Sequence, residues 1–91
     1  MFATYILQSE KNGRFYIGHT ENMCARLHRH NTGMVMATRS KEPWSMVYVE
    51  YFFTKAEASR RELDIKSKKS RKYIGKLILS TDDGTGKHVP T

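Results

Sequence analysis

Phe15-Tyr-Ile-Gly-His-Thr-Glu-Asn-Met-Cys-Ala-Arg-Leu-His-Arg-His30 reads as a short strand that runs directly into a basic helix. Phe15, Tyr16 and Ile17 favour a strand, and Gly18 allows backbone geometry that a side chain resists. Thr20 or Asn22 can cap the helix that follows, which spans about Asn22 to Asn31 before Gly33 offers a left-handed stop. On that helix Arg26 and His30 are four apart and share a face, beside an apolar stripe of Met23 and Leu27. A phenol, a guanidinium and an imidazole are thereby gathered beside a small core. Cys24 is expected to pack on the same helix as a small apolar residue.

Upstream, Phe2 to Gln8 reads as a first strand, joined to the second by Ser9 to Arg14 with Asn12-Gly13 in the middle, a strong hairpin signal. Tyr5 and Tyr16 therefore sit on adjacent antiparallel strands, and whether they share a face depends on register. Downstream, residues 34 to 43 carry no period and read as a loop whose Thr38-Arg39-Ser40-Lys41 could touch phosphates. Trp44 to Phe53 alternates Trp44, Met46, Tyr48 with Val47, Val49, Tyr51, and apolar groups on both faces suggest a central strand. Thr54-Lys55-Ala56-Glu57 fits a capping box and opens a second helix that ends near Ser67 or Lys69. Ser70 can cap a third, on which Tyr73, Ile74, Leu77 and Ile78 form one stripe. The fold class is thus α+β, a small three-stranded antiparallel sheet covered by helices, in the order β-β-α-β-α-α. Residues 1–79 make the domain, and 80–91 read as a flexible tail with almost nothing to bury.

Ninety-one residues make one domain with little spare volume for an internal ligand cavity, so a functional site is expected on the surface. Sixteen Lys and Arg against nine Asp and Glu give a formal charge of +7, the profile of a protein that meets a polyanion. Between Lys55 and Lys76 nine basic residues face three acids, which concentrates six of the seven net charges there. Such a cluster either neutralises phosphates or is a solvated face. The single Cys24 excludes an internal disulfide and a cysteine-based zinc cluster. With no N-terminal signal and no apolar run near about 18 residues, the chain reads as soluble and cytoplasmic, away from membranes.

Glu62 lies among Arg60, Arg61 and Lys66, one turn from Ala58 and from Ile65. It could point inward as a single carboxylate, enough for Mg2+ when water and substrate phosphate complete the shell, or simply pair with Lys66 or Arg61. A tyrosine acting as general base needs a cation or metal nearby, because the reference phenol pKa is about 10. Arg26 could be that cation, or clamp a phosphate whose charge grows in the transition state. His19 and His30 could hydrogen-bond a phenol or relay a proton, and as lone histidines they equally suit ordinary hydrogen bonds. Gly84-Thr85-Gly86-Lys87 lacks the strand and helix that a phosphate loop needs.

Taken together, these residues resemble the GIY-YIG nuclease superfamily, in particular its small stand-alone bacterial members similar to the N-terminal nuclease domain of the bacterial excision-repair nuclease. The resemblance covers about residues 3–79. Thr4-Tyr5-Ile6 stands at the first name-motif, with Thr4 in place of its first glycine, and Tyr16-Ile17-Gly18 is the second. Arg26 and His30 match the arginine and histidine of the family's first helix, and Glu62 matches its metal-binding glutamate. Many members carry an asparagine on the last helix, whereas no Asn follows Asn31 here; Lys66, Ser70 or Lys72 are the available replacements.

The resemblance implies metal-dependent endonuclease activity on DNA, by phosphodiester hydrolysis in repair or processing, with Mg2+ or Mn2+ held by Glu62. Arg26 would stabilise the developing phosphate charge, and Tyr16, with Tyr5 and His30, would activate or position water. His19, Arg39, Lys66, Lys69, Arg71 and Lys72 are the expected nucleic-acid contacts. DNA is the expected partner and RNA a weaker one, with any target preference coming from the chain's own basic helices, a protein partner or a second copy. The competing reading is a nucleic-acid-binding module that keeps the fold without useful turnover.

Overall fold

The strand with least to show the solvent is the first. In a computed structural model that describes residues 1–80, β1 (Phe2–Ser9) lies between β2 (Phe15–Thr20) and β3 (Trp44–Phe52), antiparallel to both. Ala3 to Leu7 are buried without a break, which requires cover on both faces of β1. This corrects the expectation that Trp44 to Phe53 is central. β3 is an edge strand, and its outward residues, such as Met46, remain exposed. The hairpin between β1 and β2 closes as expected, with Gly13 at φ +77° donating its N–H to the Ser9 carbonyl.

The alternation within β3 also breaks. Leu7 pairs with Met46 but Ile6 pairs with Tyr48, so Val47 is an extra residue, a bulge that reverses which side chains face which layer. Trp44 consequently joins Tyr5 and Leu7 on one face, while Tyr48 joins Ile6 on the other, although strict alternation would place both together.

Helix α1 (Met23–Asn31) covers the first of these faces through Met23 and Leu27, and Asn22 Oδ1 caps it by accepting the Ala25 N–H at 3.0 Å. Cys24 points outward and is exposed, contrary to the packing expected for it, because the apolar stripe of Met23 and Leu27 already fills that contact. The opposite face is covered by α2 (Lys55–Lys68) and α3 (Arg71–Ser80), with Ile65 and Ile74 against Ile6 and Tyr48. The Thr54–Glu57 capping box forms as read, and Ser70 Oγ accepts the Tyr73 N–H at the start of α3. Thr4, at the name-motif position where the family has glycine, is fully buried and donates its hydroxyl to the Ala58 carbonyl of α2 at 2.7 Å. The expected tail from 81 onward lies outside the described residues, while Ser80 closes α3.

Candidate active site

Register places both tyrosines on one face. Tyr5 lies opposite Gly18 and Tyr16 opposite Leu7, two residues along β1 from Tyr5, so the rings meet on the α1 side with centroids 6.4 Å apart. The glycine of Tyr16-Ile17-Gly18 is there to admit the Tyr5 phenol. A Cβ at position 18 would stand 2.6 Å from Tyr5 Oη and 3.2 Å from a Tyr16 ring carbon.

His30, fully buried on α1, reaches both tyrosines. Its Nε2 is 3.0 Å from Tyr5 Oη, and its ring lies 4.9 Å from that of Tyr16. Its Nδ1 is 2.8 Å from Thr38 Oγ1, and the Thr38 hydroxyl in turn reaches the Val35 carbonyl at 3.3 Å. With Thr38 donating to Val35, the hydrogen-bond pattern assigns the imidazole proton to Nδ1 and leaves Nε2 to accept from Tyr5. Burial, reinforced by the charges of Arg26 and Arg29, lowers the His30 pKa to about 4, so the ring is neutral at physiological pH. Burial and the neighbouring Tyr16 push the Tyr5 phenol above its ordinary value, against the pull of Arg26. Tyr5 is therefore a protonated donor locked into His30, while Tyr16 is half-buried and lies outside that chain of bonds.

Thr38 is a correction. The loop expected to offer its hydroxyl to phosphates instead forms a short 3-10 turn at Met36–Thr38 that buries it completely under His30. The Trp44 indole N–H donates to the Thr38 carbonyl, and Asn31 holds Trp44 by both backbone groups, accepting its N–H at 2.6 Å and donating to its carbonyl at 3.2 Å. No local sequence signal marks Thr38, Asn31 and Trp44 as one unit, since their contacts join a helix end, a turn and a strand start.

On the other face of β2, Glu62 of α2 reaches His19. The two alternatives for this carboxylate, inward-facing or ion-paired, are both realised, one on each oxygen. Oε1 is 2.5 Å from His19 Nδ1 and Oε2 is paired with the Lys66 ammonium. Burial raises the pKa of this carboxyl, but the hydrogen bonds and charges of Lys66 and His19 outweigh it and hold the pKa below the ordinary value. The side chain is 15% exposed, an anion largely withdrawn from water yet open at its rim. Arg61, the other candidate partner, instead pairs with Glu50 and Asp64. Because β2 is an edge strand, the tyrosine pair on one face and Glu62 on the other lie on either side of an open edge. Both Arg26 and Glu62 act electrostatically on the Tyr5 phenol between them.

Among the described residues no group of three His, Cys, Asp or Glu could enclose a metal ion. The donor set nonetheless suits a hard divalent cation, which needs only one or two protein carboxylates when water and phosphate oxygens complete its shell. A cation already stands on Glu62 Oε2 in the form of the Lys66 ammonium, which is 48% exposed. Arg26 lines a cleft of about 380 Å³ together with His19. Of the other expected contacts, Lys69 and Arg71 line a second cleft and Lys72 is exposed on α3. Arg39 is exposed on the loop beyond α1, bonded to the Gly33 carbonyl.

A sheet of this order with a Tyr-Ile-Gly strand, an arginine-bearing helix and an inward glutamate defines the nuclease class suggested by the residues. The GIY-YIG catalytic domain family model matches residues 1–75, and the chain belongs to the GIY-YIG family. The family is one of nucleases, which makes nucleic acid the substrate class and divalent metal the associated cofactor. Within it, the chain is similar to a UPF0213 protein of Staphylococcus haemolyticus, 41% identical over 64 residues that cover 69% of this chain and 77% of that one. A UPF0213 protein of Staphylococcus saprophyticus is 38% identical over 69 residues, covering 75% and 83%. The solution NMR structure of the UPF0213 protein BH0048 from Bacillus halodurans superposes with a TM-score of 0.55 at 30% identity, covering 97% of this chain and 93% of that one. No helix among the described residues is long and apolar enough to cross a membrane.

Proposed function

We propose that the chain is a metal-dependent DNA endonuclease that hydrolyses phosphodiester bonds in DNA repair or processing. The observation that carries this reading is Glu62, an anionic carboxylate held by His19 and paired with the Lys66 ammonium at the edge of β2. Bound there, Mg2+ or Mn2+ would supply Lewis-acid polarisation of a phosphate oxygen. Arg26 offers a guanidinium for the charge that develops on the phosphate. Tyr16 orients the attacking water, since Tyr5 spends its proton on His30 and serves to hold that ring and Tyr16 in place.

The test incubates labelled single-stranded, duplex, flap and branched DNA with the protein in Mg2+, Mn2+ or chelator, beside Glu62→Ala and Tyr16→Phe. Metal-dependent cuts that vanish in both variants support the reading. The second reading, a binding module without turnover, is favoured by one feature, the occupation of both Glu62 oxygens by His19 and Lys66. It is upheld if all three proteins bind DNA and none cuts.

A further inference from the structure

The basic run of α2 is less available than its composition suggests. Arg61 is bound by Glu50 and Asp64, Lys66 by Glu62, and Lys68 lies 3.7 Å from Asp64. Six cations outside these ion pairs line two surface clefts. One, of about 380 Å³, is lined by Arg26, Arg29 and Lys55, with His19 in its wall and Glu21 as its only acid. The other, of about 640 Å³, is lined by Arg14, Lys69 and Arg71 and contains no acid. Among the described residues none of these six cations has a carboxylate oxygen within 4.0 Å.

The clefts lie at the two ends of α2, one lined by Lys55 and the other by Lys69, with Glu62 between those residues in the chain. Lys55 and Glu62 are seven residues apart on α2, and Lys69, seven residues further on, is the left-handed C-cap that ends it. Seven residues is close to two full turns, so Lys55 and Glu62 share one face about 10 Å apart, with Lys69 at the far end of the helix. β2 runs beside them, with His19 at the first cleft and Phe15 at the second. His19 also joins the first cleft to the site directly, because its Nδ1 holds the Glu62 carboxylate.

We infer that the two clefts are phosphate subsites for one nucleic-acid strand laid along β2, with Arg29 and Lys55 on one side of Glu62 and Arg14 and Lys69 on the other. The inference rests on the nuclease reading and adds the path of the substrate. The length of α2, about 20 Å between its Lys55 and Lys69 ends, corresponds to about six nucleotides of a stacked strand rising about 3.4 Å each. Free cations at both ends, with a carboxylate between them, bind the flanking phosphates without cancelling the charge that Glu62 needs.

The test is the salt dependence of binding, measured by fluorescence anisotropy in chelator so that no strand is cut. The ligand is a fluorescein-labelled oligothymidylate of about twelve nucleotides, titrated between about 50 and about 200 mM salt. Arg29→Ala with Lys55→Ala, and separately Arg14→Ala with Lys69→Gly, should each lower the slope of log affinity against log salt by about 1.4, about 0.7 per lost contact. Glycine suits position 69 because its φ is +48°. Lys68→Ala, which removes a cation already paired, should leave the slope unchanged. A wild type that binds with a clear salt slope, while either double variant matches Lys68→Ala, overturns the strand path and leaves the nuclease reading standing. A wild type with no salt-dependent binding overturns both.

Discussion

Acidification from about pH 7 to about pH 5 should destabilise this fold by about 2 kcal/mol, and the group responsible is His30. Its ordinary pKa of 6.5 falls to about 4 in the folded chain, where it is fully buried between Tyr5 and Thr38. The unfolded chain therefore binds the extra proton first. Stability is complete above the unfolded pKa, falls as pH drops below 6.5, and levels off below about 4, where both states are protonated. The full difference is about 3 kcal/mol, of which about 2 is felt at about pH 5. Glu62 does not confuse this window, because its lowered pKa is a contribution lost only below the ordinary carboxylate value of 4.5. Urea melts followed by tryptophan fluorescence, which reports on Trp44 in the same cluster, should show the midpoint falling by about 2 M at a slope of about 1 kcal/mol per molar. His30→Gln should flatten the curve between those pH values. A midpoint unchanged from about pH 7 to about pH 5, or an imidazole that titrates near 6.5 by NMR, would refute the buried neutral histidine and with it the locking of Tyr5.

Gly18→Ala would drive a methyl to 2.6 Å from Tyr5 Oη, so it should cost about 1–3 kcal/mol by thermal melt; a cost below about 0.5 would mean that the phenol is not lodged there. Asn31→Ala removes both side-chain bonds to the Trp44 backbone and should lower stability by about 1–2 kcal/mol, with the start of β3 losing hydrogen-exchange protection before its centre. Lys66→Ala frees Glu62 Oε2 and should tighten Mn2+ binding by about two-fold or more in a calorimetric titration, while changing stability by no more than about 0.5 kcal/mol. Weaker Mn2+ binding in that variant would mean that Lys66 supports the site and does not compete for it.

Much of this arrangement was legible along the chain. The cap at Asn22, the capping box at Thr54, the stop at Gly33 and the stripes of α1 and α3 depend on residues within a turn of one another, so their types and spacing sufficed. The ordered set Tyr5, Tyr16, Arg26, His30 and Glu62 likewise pointed to the nuclease family before any contact was known. The pairing of Glu62 with Lys66 was also readable, as an i to i+4 contact.

The tertiary structure alone decided everything that rests on pairing between distant segments. Register put Tyr5 and Tyr16 on one face, and the bulge at Val47 sent Trp44 and Tyr48 to opposite layers, although both patterns looked the same in a strand read by itself. Burial on both sides made β1 central, against the more apolar appearance of β3, because centrality depends on which strand the helices cover. The loop hydroxyl of Thr38 became the buried partner of His30 through a contact eight residues away. Charge behaved in the same way. Composition fixed the surplus of cations, but only the fold determined which of them are neutralised by Glu50, Glu62 and Asp64 and which stand free beside β2, because an ion pair depends on distance in space and not on count.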